Sequence, residues 1–328
     1  MGNPVTGTAG TSDLGTHAAT GDAGRLPATA LTDTTRVPSM RDPDRRFGLS
    51  CATITPFTRD DHVDTSRLVA HVTRCIGEGC RSVTLFGTTG EGVSVGVAER
   101  RRVLESVASS IGEQRVLVGV LASAVDDAVA QANELFDIGG SGILLAPPFY
   151  FKGVGDEGLY AWFSRAIERM RQPRGVFLYH LPSVTQVALS SALIERLKRA
   201  FPSVIAGVKD SGGDWSYTEP LLDAHADLHI LVGDERLLAR AMRNGASGAI
   251  NGFSNFCARR LAPMIDHGTE DPGLSALVDL LLRFPVTPGI KALVAHVTGD
   301  PEFARAAPPL RTLDEFDAAT LVAAFQAL

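Results

Sequence analysis

The chain is poor in lysine. Lys152, Lys198, Lys209 and Lys291 are the lysines among 31 basic residues. Only Lys209 ends an apolar run, Val204-Ile205-Ala206-Gly207-Val208-Lys209, that reads as a strand. A lysine at a strand end is partly stripped of water, which favours the neutral amine. Such an amine attacks carbonyls to give a Schiff base. Other strand ends carry groups that serve the same chemistry. Gly87-Thr88-Thr89-Gly90-Glu91-Gly92 offers hydroxyls beside amides that glycines leave open to close approach, a cradle for a carboxylate. Pro147-Pro148-Phe149-Tyr150 and Tyr179-His180-Leu181-Pro182 put two of the four tyrosines at strand ends, where a phenol can relay protons. Each feature has a plain structural reading: helix-capping threonines, core-edge tyrosines, a lysine paired with Asp210 or Glu235. Together they supply an amine, a proton relay and an anion site. His180 would point to the strand face opposite Tyr179 and is expected to serve packing or a subunit interface.

These residues meet only if their strands end on one side. From Phe47 onward, short apolar runs alternate with segments of helical period. Runs at 48–56, 82–87, 115–121, 142–147, 175–181, 204–209, 228–232 and 248–253 read as eight strands. Helical stripes follow them, such as Leu159, Trp162, Phe163, Ala166, Ile167 and Met170. Eight apolar strands, each followed by a helix, predict an α/β fold, a closed parallel (β/α)8 TIM barrel. An open doubly wound sheet is the rival; it usually has fewer strands, and no Gly-rich dinucleotide fingerprint follows the first run. Past about residue 256 the pattern is helical only, with stripes over 277–282 and 290–297. The expected organisation is a disordered N-terminal arm over 1–45, the barrel over 46–255 and a C-terminal helical extension over 256–328.

Net charge is −6, with no basic stripe, which argues against a nucleic-acid partner. No apolar stretch is long enough to span a membrane. Cys51, Cys75, Cys80 and Cys257 form no Cys-x-x-Cys pair, and the histidines are scattered. Neither a metal nor a cofactor is expected, and the thiols read as reduced cysteines of a cytoplasmic protein.

Gly87-Thr88-Thr89-Gly90-Glu91, Tyr179-x-x-Pro182 and Gly207-Val208-Lys209-Asp210-Ser211 resemble the dihydrodipicolinate synthase and N-acetylneuraminate lyase superfamily, Schiff-base pyruvate lyases on an α/β barrel. The resemblance runs over about residues 47–312 and takes in Glu157-Gly158-Leu159-Tyr160, Gly233-Asp234 and Pro308-Pro309-Leu310. It implies that Lys209 forms the imine with a 2-oxo acid, typically pyruvate, and that Tyr179 gives and takes protons beside it. It implies that Thr88 and Thr89 bind the carboxylate and link the tyrosines. Tyr150 would complete a relay across a subunit interface, and Gly233 and Ile250 would line the pocket. A homo-oligomer, a tetramer built from dimers, is implied as well.

Val184 stands where the synthases usually carry an arginine, two residues after Pro182, that binds the substrate carboxylate. Loss of such a contact costs roughly 2–5 kcal/mol unless it is replaced. His180 replaces the usual asparagine, and Thr88-Thr89 stands where neuraminate lyases usually have Ser-Thr. The expectation is therefore a lyase of the aldolase type acting on pyruvate or another 2-oxo acid, with an aldehyde as second substrate. A dehydratase of a 2-oxo-3-deoxy sugar acid and a 4-hydroxy-tetrahydrodipicolinate synthase are the enzymatic alternatives. A non-catalytic 2-oxo acid-binding protein is the alternative from another class.

Overall fold

Eight parallel strands close on themselves in sequence order. They are β1 (Gly48–Ala52), β2 (Ser82–Leu85), β3 (Val116–Val120), β4 (Gly142–Leu145), β5 (Val176–His180), β6 (Ile205–Asp210), β7 (His229–Val232) and β8 (Gly248–Asn251). This computed structural model describes Gly2 and residues 46–328, so the arm expected over 1–45 lies outside the described residues. The strands are buried on both sides, which is why their sequences read as near-continuous apolar runs. Alternation sorts their side chains. Leu117, Leu144, Phe177, Tyr179, Leu231 and Ile250 fill the lumen. Val83, Val118, Ile143, Leu178, Val208 and Ile230 pack outward into the layer beneath the helices.

The helices are α1 (Thr65–Gly77), α2 (Val97–Ile111), α3 (Val125–Asp137), α4 (Asp156–Arg169), the short α5 (Pro182–Thr185), α6 (Ser191–Ala200), α7 (Trp215–Ala224), α8 (Glu235–Arg243) and α9 (Ser254–His267). Three more complete the chain: α10 (Pro272–Leu281), α11 (Val286–Thr298) and α12 (Glu315–Gln326). Several start on a side chain that accepts from an otherwise unpaired amide of the first turn. Asp64 takes Arg67 N–H, Ser190 takes Leu193 N–H, and Asp234 takes Arg236 N–H. The cap at Asp234 sets the turn after β7: Gly233 follows the strand, Asp234 caps, and Glu235 opens α8 at the barrel mouth.

Two registers position the mouth and the seam. An irregularity between Val176 and Phe177 lets β5 and β6 pair with Tyr179 opposite Lys209. Closure between β1 and β8 sets Gly48 opposite Gly248. Gly248 has φ +152°, and a Cβ there would lie 2.0 Å from the Gly48 carbonyl oxygen. Only a residue without a side chain lets these two backbones approach. Gly248→Ala is expected to force β1 and β8 apart and to cost several kcal/mol, on the order of an overpacked core. A urea unfolding curve checks this; an unchanged midpoint would remove the closure argument.

Candidate active site

Lys209, Tyr179 and Thr88 form a line across the C-terminal mouth of the barrel. The Lys209 side chain is buried, and its Nζ donates to Tyr179 Oη at 3.4 Å. The same ammonium lies 4.5 Å from the Tyr179 ring centroid. Tyr179 Oη shares a 3.3 Å hydrogen bond with Thr88 Oγ1. With the amine donating to the phenol, the phenol is free to donate to Thr88, so one proton path links β6, β5 and the β2 loop. Asp210, next in sequence, does not pair with the amine. It faces outward, where it accepts from Thr218 Oγ1 at 2.6 Å and from Gly212 N–H at 2.9 Å. His180 also faces outward. Its ring stacks on Tyr217 at 3.9 Å, and Nδ1 accepts from Leu189 N–H at 3.2 Å.

The β2 loop holds an unusual backbone. Phe86 and Glu91 have φ of 57° and 51°, in the left-handed region that costs a side-chain-bearing residue. Gly92 lies so close to Phe86 that a Cβ would sit 1.8 Å from its carbonyl oxygen. Buried charges secure this shape. Glu91 pairs with Lys291 of α11, and its other oxygen accepts from Ala307 N–H at 2.8 Å. Burial pushes the Lys291 ammonium down from its usual range, and Glu91 opposes that shift. Arg100 adds a second brace, with its guanidinium 4.5 Å from the Phe86 ring centroid and Nη2 donating to Gly119 O at 2.9 Å.

Two connected chambers open from this line. The inner one, about 240 Å³, is lined by Thr88, Thr89, Tyr179, Lys209, Ser211, Gly233, Glu235, Ile250 and Asn251, among others. A Cβ at Gly233 would lie 2.1 Å from Ser211 Oγ and 3.3 Å from Lys209 Cε, so glycine there keeps room for the amine. Glu235 is buried, and loss of water raises its carboxyl to about 7. One oxygen accepts from Phe253 N–H at 3.1 Å. Asn251 Nδ2 is buried without a hydrogen-bond partner. The outer chamber, about 470 Å³, shares Val184 and Val286 with the inner one and adds Leu121, Ala146, Phe149 and Pro288. Among the described residues, no arginine lines either chamber.

The structure thus brings together Lys209, Tyr179, Thr88, Thr89, Gly233 and Ile250. Within one chain it does not bring Tyr150 to them. Phe149 takes the inward place after β4, and Tyr150 is 75 % exposed, its ring edge-on to Phe151. Glu235, Ser211 and Asn251 are lining residues that sequence reasoning did not assign. Ser211 and Asn251 each lie close in sequence to an assigned residue at a strand end, which was the available signal. Lys291 carried another: a lysine inside the apolar stripe of 290–297 needs a buried partner.

Behind the barrel, Cys51, His71 and Cys75 place their donor atoms within 4.8 Å of one another, a grouping their spacing in sequence does not suggest. The hydrogen bonding fits packed thiols. Asn255 Oδ1 accepts from Ile54 N–H at 3.0 Å while its Nδ2 donates to Ala52 O at 2.8 Å. That orientation makes Oδ1 the acceptor at 2.9 Å from His71 Nε2, so Nε2 carries the proton and has no lone pair to offer. Burial raises the Cys51 thiol far above its ordinary range, and the Cys51 contact and burial raise that of Cys75.

The buried charges can be tested by stability. Lys291→Met leaves Glu91 as an unpaired buried charge and is expected to destabilise by about 3–5 kcal/mol. Adding Glu91→Gln should recover much of the loss in a denaturant titration; additive losses would show that the pair is not coupled. For Glu235, a folded-state pKa of about 7 against an ordinary 4.5 means that the folded protein keeps a proton the unfolded chain has lost. Stability should therefore fall as pH rises from about 4.5 to 7, by up to about 3 kcal/mol. Glu235→Gln should flatten that slope, and identical slopes would refute the assignment.

Comparisons with known proteins bear on this geometry. The model of the dihydrodipicolinate synthetase family matches residues 46–327. A DapA-like lyase from Chloroflexus aurantiacus is 34% identical over 287 residues, covering 85% of this chain and 96% of that protein. The crystal structure of dihydrodipicolinate synthase from Agrobacterium tumefaciens shares 48% identity with a TM-score of 0.85, covering 86% of this chain and 99% of that one. A 2-keto-3-deoxygluconate aldolase variant from Sulfolobus solfataricus shares the fold at 22% identity, with a TM-score of 0.75 and coverage of 85% and 95%. With the family model spanning the whole barrel and the helices after it, the chain belongs to the dihydrodipicolinate synthase family and is a lyase of that family.

Proposed function

We propose that this lyase works through an imine between Lys209 and the C2 carbonyl of a 2-oxo acid, pyruvate or a longer relative. The observation that carries this reading is a buried lysine amine whose hydrogen bond goes to a phenol at 3.4 Å rather than to a carboxylate. The amine attacks C2, Tyr179 passes the protons that convert the carbonyl oxygen to water, and the iminium remains. Thr88 and Thr89 hold the acid's carboxylate. With a 4-hydroxy-2-oxo acid, Tyr179 takes the C4 hydroxyl proton, the C3–C4 electrons move to the iminium, and C4 leaves as an aldehyde. The enamine that remains takes a proton at C3 and water releases pyruvate, and the reverse sequence joins the two.

Exposed Val93, Val97, Tyr150 and Phe151 are apolar side chains a soluble chain would normally cover. They support self-association into a dimer or tetramer, in which Tyr150 of a second copy reaches the Thr88 side of the relay. The four free cysteines suit a cytoplasmic setting. A synthase of dihydrodipicolinate is disfavoured because Val184, half exposed at the chamber mouth, offers no charge for a second carboxylate, and no lining arginine replaces it. Efficient turnover of pyruvate with aspartate semialdehyde would overturn that part. A second reading, loss of water from a hydroxylated 2-oxo acid on the same imine, is favoured by Glu235. A carboxyl that keeps its proton near neutrality beside Lys209 can give it to a departing hydroxyl. Release of pyruvate marks the aldolase; an unbroken carbon chain marks the dehydratase.

Borohydride reduction in the presence of pyruvate, with peptide mass spectrometry of the product, tests the reading. A reduced pyruvyl adduct is expected on Lys209 and none in Lys209→Ala. Tyr179→Phe should keep the adduct site but slow turnover by about 10²–10⁴-fold, the usual range for a lost proton relay. An adduct elsewhere, or none with any 2-oxo acid, would refute it. Retained ligand affinity in a Lys209→Ala protein, together with no turnover by the parent, would point to a binding protein instead.

A further inference from the structure

We propose that the outer chamber receives the tail of the 2-oxo acid and that this tail is uncharged and apolar, a phenyl or branched alkyl group beyond the reacting carbons. The proposal rests on the imine reading above and names the substrate class for that site.

Continuity is the first argument. Thr88, Tyr179, Val184, Val286 and Thr287 line both chambers, so the two are one cleft divided at the Tyr179 phenol. Size is the second. The inner chamber, about 240 Å³, holds the three carbons of a pyruvyl unit, its carboxylate among them, while the outer one, about 470 Å³, leaves room for a group as large as a phenyl ring.

Chemistry is the third and decides the class. The outer walls are Leu121, Ala146, Phe149, Val184, Val286 and Pro288. Of the polar side chains on this wall away from the shared part, Glu91, Thr185 and Ser94 make hydrogen bonds within the protein. Glu91 is held by Lys291 and Ala307 N–H. Thr185 Oγ1 donates to Leu181 O at 3.0 Å, and Ser94 Oγ donates to Pro308 O at 3.3 Å. Thr287 lies on the wall shared with the inner chamber. A polyhydroxylated tail entering this space gives up its water without finding partners, whereas an apolar tail loses nothing and leaves water behind. A carboxylate at the far end meets no cation. Were Tyr150 and Phe151 of a second copy to close the mouth, they would add aromatic carbon, one phenol hydroxyl on the Thr88 side and no charge, so a carboxylate tail would still meet no cation.

The test uses the intact protein and measures the concentration of each 2-oxo acid that half-saturates borohydride trapping on Lys209, summing intact and pyruvyl adducts. 2-Oxo-4-phenylbutanoate is expected to half-saturate at a concentration about 100-fold below 2-keto-3-deoxygluconate, the gain expected from burying one ring. Val184→Arg, at a half-exposed position, should reduce that preference at least about 10-fold, and Val184→Leu should keep it. Equal or tighter trapping of the sugar acid, with pyruvate trapped on Lys209, overturns this proposal and leaves the imine standing. A preference untouched by Val184→Arg places the tail elsewhere and also overturns it. Failure of every 2-oxo acid to trap on Lys209 overturns both readings together.

Discussion

Closure of the barrel is the constraint on which the site depends. Lys209 lies on β6, Tyr179 on β5, Thr88 after β2, Glu235 at the start of α8 and Asn251 at the end of β8. More than 160 residues separate Thr88 from Asn251, and only a ring of parallel strands brings both to one mouth. The ring in turn depends on places where backbone meets backbone. Gly48 and Gly248 close the seam. At the mouth, Gly92 packs on Phe86. These contacts are made without side chains because parallel strands and a folded-back loop leave no volume for them.

Charge is used sparingly inside this frame. The buried ion pair between Glu91 and Lys291 serves geometry: it ties the strained Thr88-Thr89 loop to a helix that arrives 200 residues later. A buried pair of this kind contributes little net stability, since desolvation offsets attraction, but it is costly to break. That asymmetry fixes the loop's shape, and with it the positions of the Thr88 and Thr89 side chains. Lys209 is treated differently. Its hydrogen bond goes to a phenol at 3.4 Å, a long contact. The mouth therefore holds two buried lysines in different ways, one against a carboxylate and one against a phenol.

The two chambers are built from different parts of the fold. Lys209, Tyr179 and Ile250 of the inner chamber come from strands, where the barrel fixes their positions. Val184, Val286 and Pro288 of the outer chamber come from α5 and from the entry to α11. Loops and short helices outside the barrel can change without disturbing its closure, and selectivity changes with them.

Much of this was legible in the sequence. Each of the eight strands lies where an apolar run predicted it, most of them shorter than the run and β6 extending one residue beyond it to Asp210. Lys209, Tyr179, Thr88 and Thr89 stood out because lysine and tyrosine are scarce here and sit at strand ends. Strand alternation was enough to send His180 outward and Tyr179 inward. What the sequence could not decide is everything that depends on distant segments meeting. Phe149 and Tyr150 are equally plausible at the end of a run; the turn after β4 makes Phe149 the inward residue. Glu235 reads as an ordinary helix-opening acid until β7 buries it beside Lys209. Cys51, His71 and Cys75 share no motif, yet β1 and α1 pack them together. Local sequence sets the period of each element and the chemistry at its ends, because those depend on neighbours along the chain. The pairing of Glu91 with Lys291 and the apolar outer chamber belong to the tertiary structure, because burial and electrostatics depend on what lies across the fold.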